Sequence, residues 1–183
     1  MIDVRTLVDA IMAQPATERD IETVQEQLGR YPRGMVAVGA RCVCGRPLAV
    51  VTRPLVEGRI PFPTTCYLTG PTAVKAMSHI EAEGTMATFN ERLAEDEDLT
   101  TAYRGAHEAY LAFRHELAVR LGDGEDHIEG ISAGGMPVRV KCLHALAAQS
   151  LVMGSGVNPI GDLALAMAAE RGEFDRGICR CAL

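Results

Sequence analysis

Apolar residues at the start of the chain recur at helical spacing. The spacing predicts one helix over residues 2–13, which Pro15 ends. It also predicts a second helix that Thr17 or Asp20 caps and Gly29 closes. The chain therefore begins with two short helices.

The pattern then changes to one that is typical of β-strands. Residues 35–52 are rich in Val and predict a hairpin or a pair of neighbouring strands, with Cys42-Val43-Cys44-Gly45 at the bend. Residues 54–71 contain four prolines, so we expect mostly irregular chain there with one short strand at residues 66–68.

The second half of the chain is mostly helical by the same criterion. Pro71 suits the start of a helix that ends at Gly84, and a second helical piece follows through Leu93. A long amphipathic helix then ends at Gly122, and its apolar positions step by four and three residues. These positions are Leu99, Tyr103, Ala106, Tyr110, Phe113 and Leu117.

The region after Gly122 is polar at first and helical later. We expect an exposed loop over residues 122–135 and helices over residues 139–153 and 162–171. All of these elements together predict an α+β protein, mainly helical, with a small early β-hairpin or short sheet.

The elements fit a single domain over residues 1–183. A length of 183 residues is typical of one domain, and 48% apolar residues supply a core that needs no disulfides. Because chain ends are commonly mobile, we expect residues 1–16 to form a loosely attached helix and residues 177–183 to form a mobile tail.

Composition excludes several classes of function. A net charge of −6, an aromatic fraction of 4% and the absence of Trp argue against nucleic-acid binding, which needs clustered cations and stacking surfaces. The sequence has no secretion signal at its start and no apolar run of membrane-spanning length. We expect a cytoplasmic protein without membrane contact, whose six cysteines are reduced.

The cysteines are the clearest candidates for chemistry. Cys42 and Cys44 share a bend where both sulfurs can turn toward one point. With Cys66 and Cys142 they make four thiols, the number in an ordinary zinc or iron–sulfur site. We therefore expect a zinc ion or an iron–sulfur cluster on these four residues, although their spacings match no compact motif. The alternative is that they are small buried apolar residues.

Two further cysteines, Cys179 and Cys181, repeat the one-residue spacing close to the C-terminus. Because chain ends are commonly mobile, we do not expect them to be essential ligands.

Cys142 and His144 are the candidates for catalytic residues. On a continuous helix, two residues that are two positions apart point about 200° away from each other, so they could not share a metal. In that case His144 faces a substrate, supports a ligand or lies on the surface.

A glycine-rich loop precedes these residues. Gly134 and Gly135 permit close backbone approach, and Arg139 and Lys141 add positive charge at the start of the predicted helix. These features indicate a site for a small anionic ligand. The alternative is a flexible connector with solvated basic residues.

Four motifs together carry a resemblance to a known family. They are Arg41-Cys42-Val43-Cys44-Gly45, Pro61-Phe62-Pro63-Thr64 with Tyr67-Leu68-Thr69-Gly70-Pro71, Lys141-Cys142-Leu143-His144, and Asn158-Pro159-Ile160-Gly161. In this order they resemble the bacterial domain of unknown function 501. The resemblance implies no established activity. It does imply a cysteine at the position of Gly70 and a histidine at that of Gln149, and Cys66 is the cysteine nearest to Gly70.

Three functions remain open at this point. The first is a metal or iron–sulfur protein with an adjacent anion site. The second is a non-catalytic module that binds a protein partner. The third is a metal-free thiol enzyme with Cys142 as its nucleophile.

Overall fold

The computed structural model describes residues 3–181. The first two residues of the predicted N-terminal helix and the last two of the predicted tail lie outside the described residues. Within residues 3–181 the fold consists of seven α-helices and two small antiparallel sheets, which confirms the predicted α+β class.

The elements follow the order that the apolar pattern predicts, with two additions. A two-stranded sheet formed by Leu55–Val56 and Ile60–Pro61, and a 3-10 turn at Asp126–Ile128, were not expected. The full order is α1 Val4–Met12, α2 Glu18–Leu28, β1 Met35–Arg41, β2 Pro47–Thr52, β3 Leu55–Val56, β4 Ile60–Pro61, β5 Cys66–Leu68, α3 Pro71–Ala82, α4 Thr85–Glu95, α5 Glu97–Leu121, α6 Leu143–Met153 and α7 Pro159–Glu170.

The larger sheet has the order β1-β2-β5, and both of its pairs are antiparallel. In the register of the sheet, Val38 lies opposite Val50, and Val50 lies opposite Tyr67. Every residue of the central strand β2 is buried. This strand therefore belongs to the core on both faces, which explains why its sequence does not alternate between apolar and polar residues.

Helix α6 packs against all three strands of this sheet and against α3 and α7. All of its residues from Ala145 to Met153 are buried, so it has no polar face. Gln149 lies within this buried segment, donates a hydrogen bond to the carbonyl oxygen of Ala106 and accepts one from Asn158. The nitrogen and the oxygen of the Gln149 amide thus each have a hydrogen-bond partner inside the core, where an unpaired polar group would be costly.

Asn158 also begins helix α7. Its side chain accepts a hydrogen bond from the backbone N–H of Gly161, and Pro159 occupies the first turn. Gly161 lies so close to α6 that a β-carbon there would overlap the backbone oxygen of Leu146. The motif Asn158-Pro159-Ile160-Gly161 therefore starts a helix and brings it against α6.

The predicted exposed loop after Gly122 is wrong in part, because the chain there packs against α5. Arg114 of α5 is buried and donates hydrogen bonds to the carbonyl oxygens of Ile128 and Ile131. It also forms an ion pair with Glu125 at 2.9 Å. A buried guanidinium needs such acceptors, so the loop backbone folds around it.

The start of α6 also differs from the sequence prediction. The helix begins at Leu143 rather than at residue 139. Asn90 of α4 bonds both the N–H and the C=O of Val140, and Tyr103 donates to the carbonyl oxygen of Arg139. These contacts take the backbone groups that a helix would use, so residues 139–142 stay outside the helix.

The close contact of α7 with α6 gives a test of the fold. Gly161→Ala should lower the free energy of unfolding by about 3 kcal/mol, because the added methyl group overlaps buried atoms of α6. Gly105→Ala is the matched control, since Gly105 lies in helix α5 with no atom within 4 Å of an added β-carbon. That change should be neutral or stabilising by about 1 kcal/mol, and chemical denaturation measures both. Equal stabilities of the two variants would contradict the packing described here.

Candidate functional site

Four cysteine thiols gather at the bend between β1 and β2. The sulfur atoms of Cys42, Cys44, Cys179 and Cys181 all lie within 4.8 Å of one another. Cys42 is buried, Cys181 is half-buried, and the other two are exposed. Four thiols at this spacing can hold one metal ion.

The bend itself is held in shape by backbone hydrogen bonds. The N–H of Cys42 donates to the carbonyl oxygen of Arg46 at 2.9 Å, and the N–H of Gly45 donates to that of Cys42 at 2.8 Å. Gly45 has a φ of 87°, a conformation that glycine adopts at little cost. The turn therefore points Cys42 and Cys44 to one side.

An ion pair fixes this bend against α2. Arg41 donates to both carboxylate oxygens of Asp20, at 2.7 and 2.9 Å, and to the carbonyl oxygen of Gly45. Asp20 also closes the capping box of α2 with Thr17. The hydrogen bonds from Arg41 and Thr17 hold the pKa of Asp20 well below its ordinary value.

The C-terminal segment reaches the same place because it is attached at several points. Phe174 is buried in the core, and a β-bridge pairs Asp175 with Ile178. Just before this segment, Arg171 forms an ion pair at 2.7 Å with Glu83, the residue that follows α3. These contacts carry the chain to Cys179 and Cys181.

The thiols of this group differ in their acidity. A hydrogen bond from the backbone N–H of Arg46, with others from neighbouring thiols, lowers the pKa of Cys44 to about 7. Burial, with the neighbouring thiols Cys42 and Cys44, raises the pKa of Cys181 to about 12. A metal ion would remove this difference, since thiolates bind metals as anions.

The structure corrects the expected set of metal ligands. Cys42 and Cys44 are in the cluster, but their partners there are Cys179 and Cys181, which we did not expect to be ligands. Cys66 is fully buried in the core, and burial raises the pKa of its thiol. Its backbone N–H donates to the hydroxyl of Tyr110, which fixes β5 with the thiol inside.

Cys142 belongs to a second group of side chains. One ligand-type atom each of Glu81, Cys142 and His144 lies within 4.8 Å of the others. Cys142 is the N-cap of α6 with φ −152° and ψ 110°, so it precedes the helix. The 200° separation that we expected between Cys142 and His144 therefore does not exist, because only His144 is helical.

Helix α3 holds His144 in this group. Its Nδ1 lies 3.1 Å from a carboxylate oxygen of Glu81, and its Nε2 lies 3.1 Å from the carbonyl oxygen of Val74. Both of these residues are on α3. Glu81 also accepts a hydrogen bond from the backbone N–H of Leu143 at 2.6 Å, which fixes the carboxylate at the first turn of α6.

The surroundings favour an ion pair between Cys142 and His144. The hydrogen bond with Cys142, and the charge of Glu81, raise the pKa of His144 to about 9 despite its partial burial. Burial of Cys142 opposes its ionisation, but hydrogen bonds from His144 and from the N–H of Ala145 outweigh burial and lower its pKa.

This pair lines an open cleft of about 700 Å³ between α2, β5, α3 and α6. Its charged lining residues are Lys75 and His144, and the described residues that line it include no carboxylate. The full lining is Gln27, Leu28, Thr64, Cys66, Tyr67, Leu68, Thr69, Pro71, Val74, Lys75, Gly134, Cys142, His144 and Ala145.

The expected anion site is assembled only in part. Gly134 lines the cleft, and its carbonyl oxygen accepts the N–H of Lys141 at 2.7 Å. Gly135 packs against the backbone of Arg139, where a β-carbon would not fit. Arg139 and Lys141 are exposed and do not line the cleft. Lys75 is the lysine that does line it.

Sequence reasoning missed several of these residues. The repeated one-residue spacing of Cys42 and Cys44 in Cys179 and Cys181 was a visible signal for the cluster. Glu81 and Lys75 gave no signal, because a carboxylate or a lysine on an amphipathic helix ordinarily faces solvent.

Comparisons with known proteins agree with the motifs. The family model described as "Protein of unknown function (DUF501)" matches residues 38–166. Searches of curated proteins and of solved structures found no match to the chain. Over the described part of the chain, no helix combines the length and apolar character that crossing a membrane requires.

The ion pair beside the cysteine bend gives a test of pH dependence. Asp20→Asn should lower the free energy of unfolding at pH 7 by about 2 kcal/mol, since charge-assisted hydrogen bonds with Arg41 are lost. The folded pKa of Asp20 is depressed, so its contribution is present above about pH 4 and disappears as the pH falls further. The variant should therefore lose less stability than the wild type below about pH 4.

Urea denaturation at a series of pH values measures this difference. Glu26→Gln is the control, because Glu26 is an exposed carboxylate of the same helix. Identical pH profiles for Asp20→Asn and the wild type would refute the role given to the ion pair.

Proposed function

Because the chain belongs to the DUF501 family, whose function is unknown, we propose a function from its own residues: it is a zinc protein whose ion joins the β1–β2 bend to the C-terminal segment. Cys42, Cys44, Cys179 and Cys181 are the ligands. The observation that carries the proposal is the convergence of these four sulfurs within 4.8 Å of one another.

The spacing suits a single ion. Zinc–sulfur bonds of about 2.3 Å at tetrahedral angles place neighbouring sulfurs about 3.8 Å apart. Thiols that already lie within 4.8 Å need only small side-chain movements to reach this geometry. An iron–sulfur cluster is less well supported, since cysteines that bind different irons of a cluster are held further apart.

The charge around the site also supports a thiolate-bound ion. Four thiolates and Zn²⁺ carry a net charge of −2. Arg19, Arg41 and Arg46 line the same small cavity as Cys44. Asp20 lines it too and pairs with Arg41, so the cavity keeps an excess of positive charge beside the thiolates. The backbone N–H of Arg46 adds a hydrogen bond to the sulfur of Cys44. Such hydrogen bonds commonly support metal-bound thiolates.

The ion would have a structural role. With four protein ligands it has no open position for substrate, which is typical of structural zinc. Its effect would be to attach the segment that follows α7 to the β1–β2 hairpin, which lies far from that segment in the sequence. Closing such a long loop limits the unfolded chain, so ion binding should stabilise the fold.

Elemental analysis of freshly purified protein tests the proposal. We expect about one zinc per chain in the wild type and a loss of most of it in Cys179→Ser. Cys142→Ser is the matched control, because Cys142 is a thiol outside the cluster, and this variant should keep its zinc. Brown protein that contains iron and sulfide would show that the site holds an iron–sulfur cluster instead of zinc.

Removal of the ion gives an independent test. A strong chelator should increase amide hydrogen exchange in residues 171–181 and in the bend between β1 and β2, while leaving α6 protected. Loss of zinc from Cys142→Ser but not from Cys179→Ser would contradict the proposed ligand set. So would hydrogen exchange that the chelator does not change.

A further inference from the structure

We propose that Cys142 is a reactive thiolate that undergoes thiol–disulfide exchange with small anionic disulfides bound in the cleft between β5, α3 and α6. This site is separate from the four-cysteine cluster and does not depend on a metal ion. The inference stands on three observations: the ion-pair geometry around His144, the open cleft, and the charge of the cleft lining.

The hydrogen-bond partners of His144 determine its protonation. The carbonyl oxygen of Val74, 3.1 Å from Nε2, can only accept a hydrogen bond. The Ser78 hydroxyl oxygen also lies 3.1 Å from Nε2, and because that hydroxyl donates its proton to the carbonyl oxygen of Val74, it too can accept from Nε2. The carboxylate of Glu81, 3.1 Å from Nδ1, likewise accepts. Both ring nitrogens are therefore best satisfied when each carries a proton, which makes His144 an imidazolium cation beside the Cys142 sulfur.

This arrangement assigns different roles to the two residues. A cation within 4.8 Å stabilises the thiolate of Cys142, as does the N–H of Ala145 at the start of α6. Because the acceptors around its ring hold His144 in the protonated form, it is not a free base. His144 is a positioning residue, and the thiolate alone is the nucleophile. A reaction whose leaving group needs no proton fits this geometry best.

Disulfide exchange is such a reaction. The Cys142 thiolate attacks one sulfur of a disulfide R–S–S–R, a new S–S bond forms, and the old bond breaks. The electron pair leaves with the second sulfur as a thiolate R–S⁻, so no proton is transferred. A second small thiolate of the same class then attacks the mixed disulfide. This restores Cys142 and releases a disulfide.

The cleft is suited to a small polar anion. Lys75 and His144 both line it, and none of the described lining residues is a carboxylate. Thr69 also lines it, is only 1% exposed, and its hydroxyl has no hydrogen-bond partner among the described residues. A ligand that brings an acceptor group would satisfy that hydroxyl, because a buried hydroxyl without a partner is costly.

A second thiol in the same cleft provides an internal comparison. Cys66 lines the cleft as well, but its side chain is buried with 0% exposure. The ionisable side chains around the reactive pair are Lys75 and Glu81 of α3, with Cys66 and Tyr67 of β5. Of the two cysteines, only Cys142 has a cationic neighbour and solvent access, so reactivity should distinguish them.

The test measures reaction rates at individual cysteines in the full-length protein as purified. The anionic probe is 5,5′-dithiobis(2-nitrobenzoate) and the uncharged probe is bis(2-hydroxyethyl) disulfide. Mass spectrometry of the Cys142 peptide gives the rate separately from any reaction at the four-cysteine cluster. We expect Cys142 to react with the anionic probe, and Cys66 to react at least about a hundredfold more slowly because it is buried.

Variants separate the contributions of His144 and Lys75 to the reaction rate of Cys142. His144→Gln should slow the reaction of Cys142 at pH 7 by about tenfold and move its rise in rate to about pH 8.5, the range of an ordinary thiol. Lys75→Ala should slow the reaction of Cys142 with the anionic probe by about fivefold and leave its rate with the uncharged probe unchanged. Lys141→Ala is its matched control, since Lys141 is an exposed lysine outside the cleft, and both rates should stay as in the wild type.

Several outcomes would overturn the proposal. One is a pH–rate profile of Cys142 that His144→Gln and Glu81→Gln both leave unchanged in protein that retains its fold by circular dichroism. Others are equal rates at Cys66 and Cys142, or a Lys141→Ala effect as large as that of Lys75→Ala. Zinc content is irrelevant to these outcomes, so this test and the zinc measurement succeed or fail separately.

Discussion

The burial of helix α6 from Ala145 to Met153 is the constraint on which the rest of the structure depends. A helix that is apolar on every side must be covered on every side, and here the three-stranded sheet, α3 and α7 cover it. Its one long polar side chain, Gln149, is satisfied by Ala106 and Asn158. Because these neighbours fix the axis of α6, its first residues emerge at a defined place beside α3.

That position explains why Glu81, Cys142 and His144 come together. Contacts from α4 and α5 keep residues 139 and 140 out of the helix, and the chain becomes helical only at Leu143. Glu81 then bonds both the first helical N–H and the ring of His144. The same carboxylate therefore caps the helix and orients the histidine, so the geometry of the pair follows from how α6 begins.

Much of the fold could be predicted from the sequence, since local signals and tertiary packing agree there. Thr17 and Gly29 bound α2 as expected, and the four-and-three spacing from Leu99 to Leu117 marks the buried face of α5. Predictions were wrong where distant contacts decide. Asn90 and Tyr103 occupy the backbone of residues 139 and 140, and Arg114 draws the loop after Gly122 inward, although neither effect is visible in local spacing.

In the candidate sites, too, local sequence predicts some features and distant contacts decide others. Cys42 and Cys44 share a turn, so their proximity was predictable, but their partners Cys179 and Cys181 come from the far end of the chain. The resemblance placed a cysteine at the position of Gly70, where a β-carbon would meet Leu48 at 2.8 Å. A cysteine there would need Leu48 to move. Cys66 is buried in β5, whereas Gly70 is the N-cap of α3, so the two positions are not equivalent.

The two sites also differ in what they require of the chain. Glu81, Cys142 and His144 all lie inside the region that the family model matches, residues 38–166. The four-cysteine cluster needs Cys179 and Cys181, which lie beyond that region. The cleft is therefore assembled almost wholly by the elements that surround α6, whereas the cluster forms only when the C-terminal segment reaches the hairpin. A chain could keep the geometry of the cleft without the cluster, because the grouping of Glu81, Cys142 and His144 depends on the elements around α6 and not on the C-terminal segment.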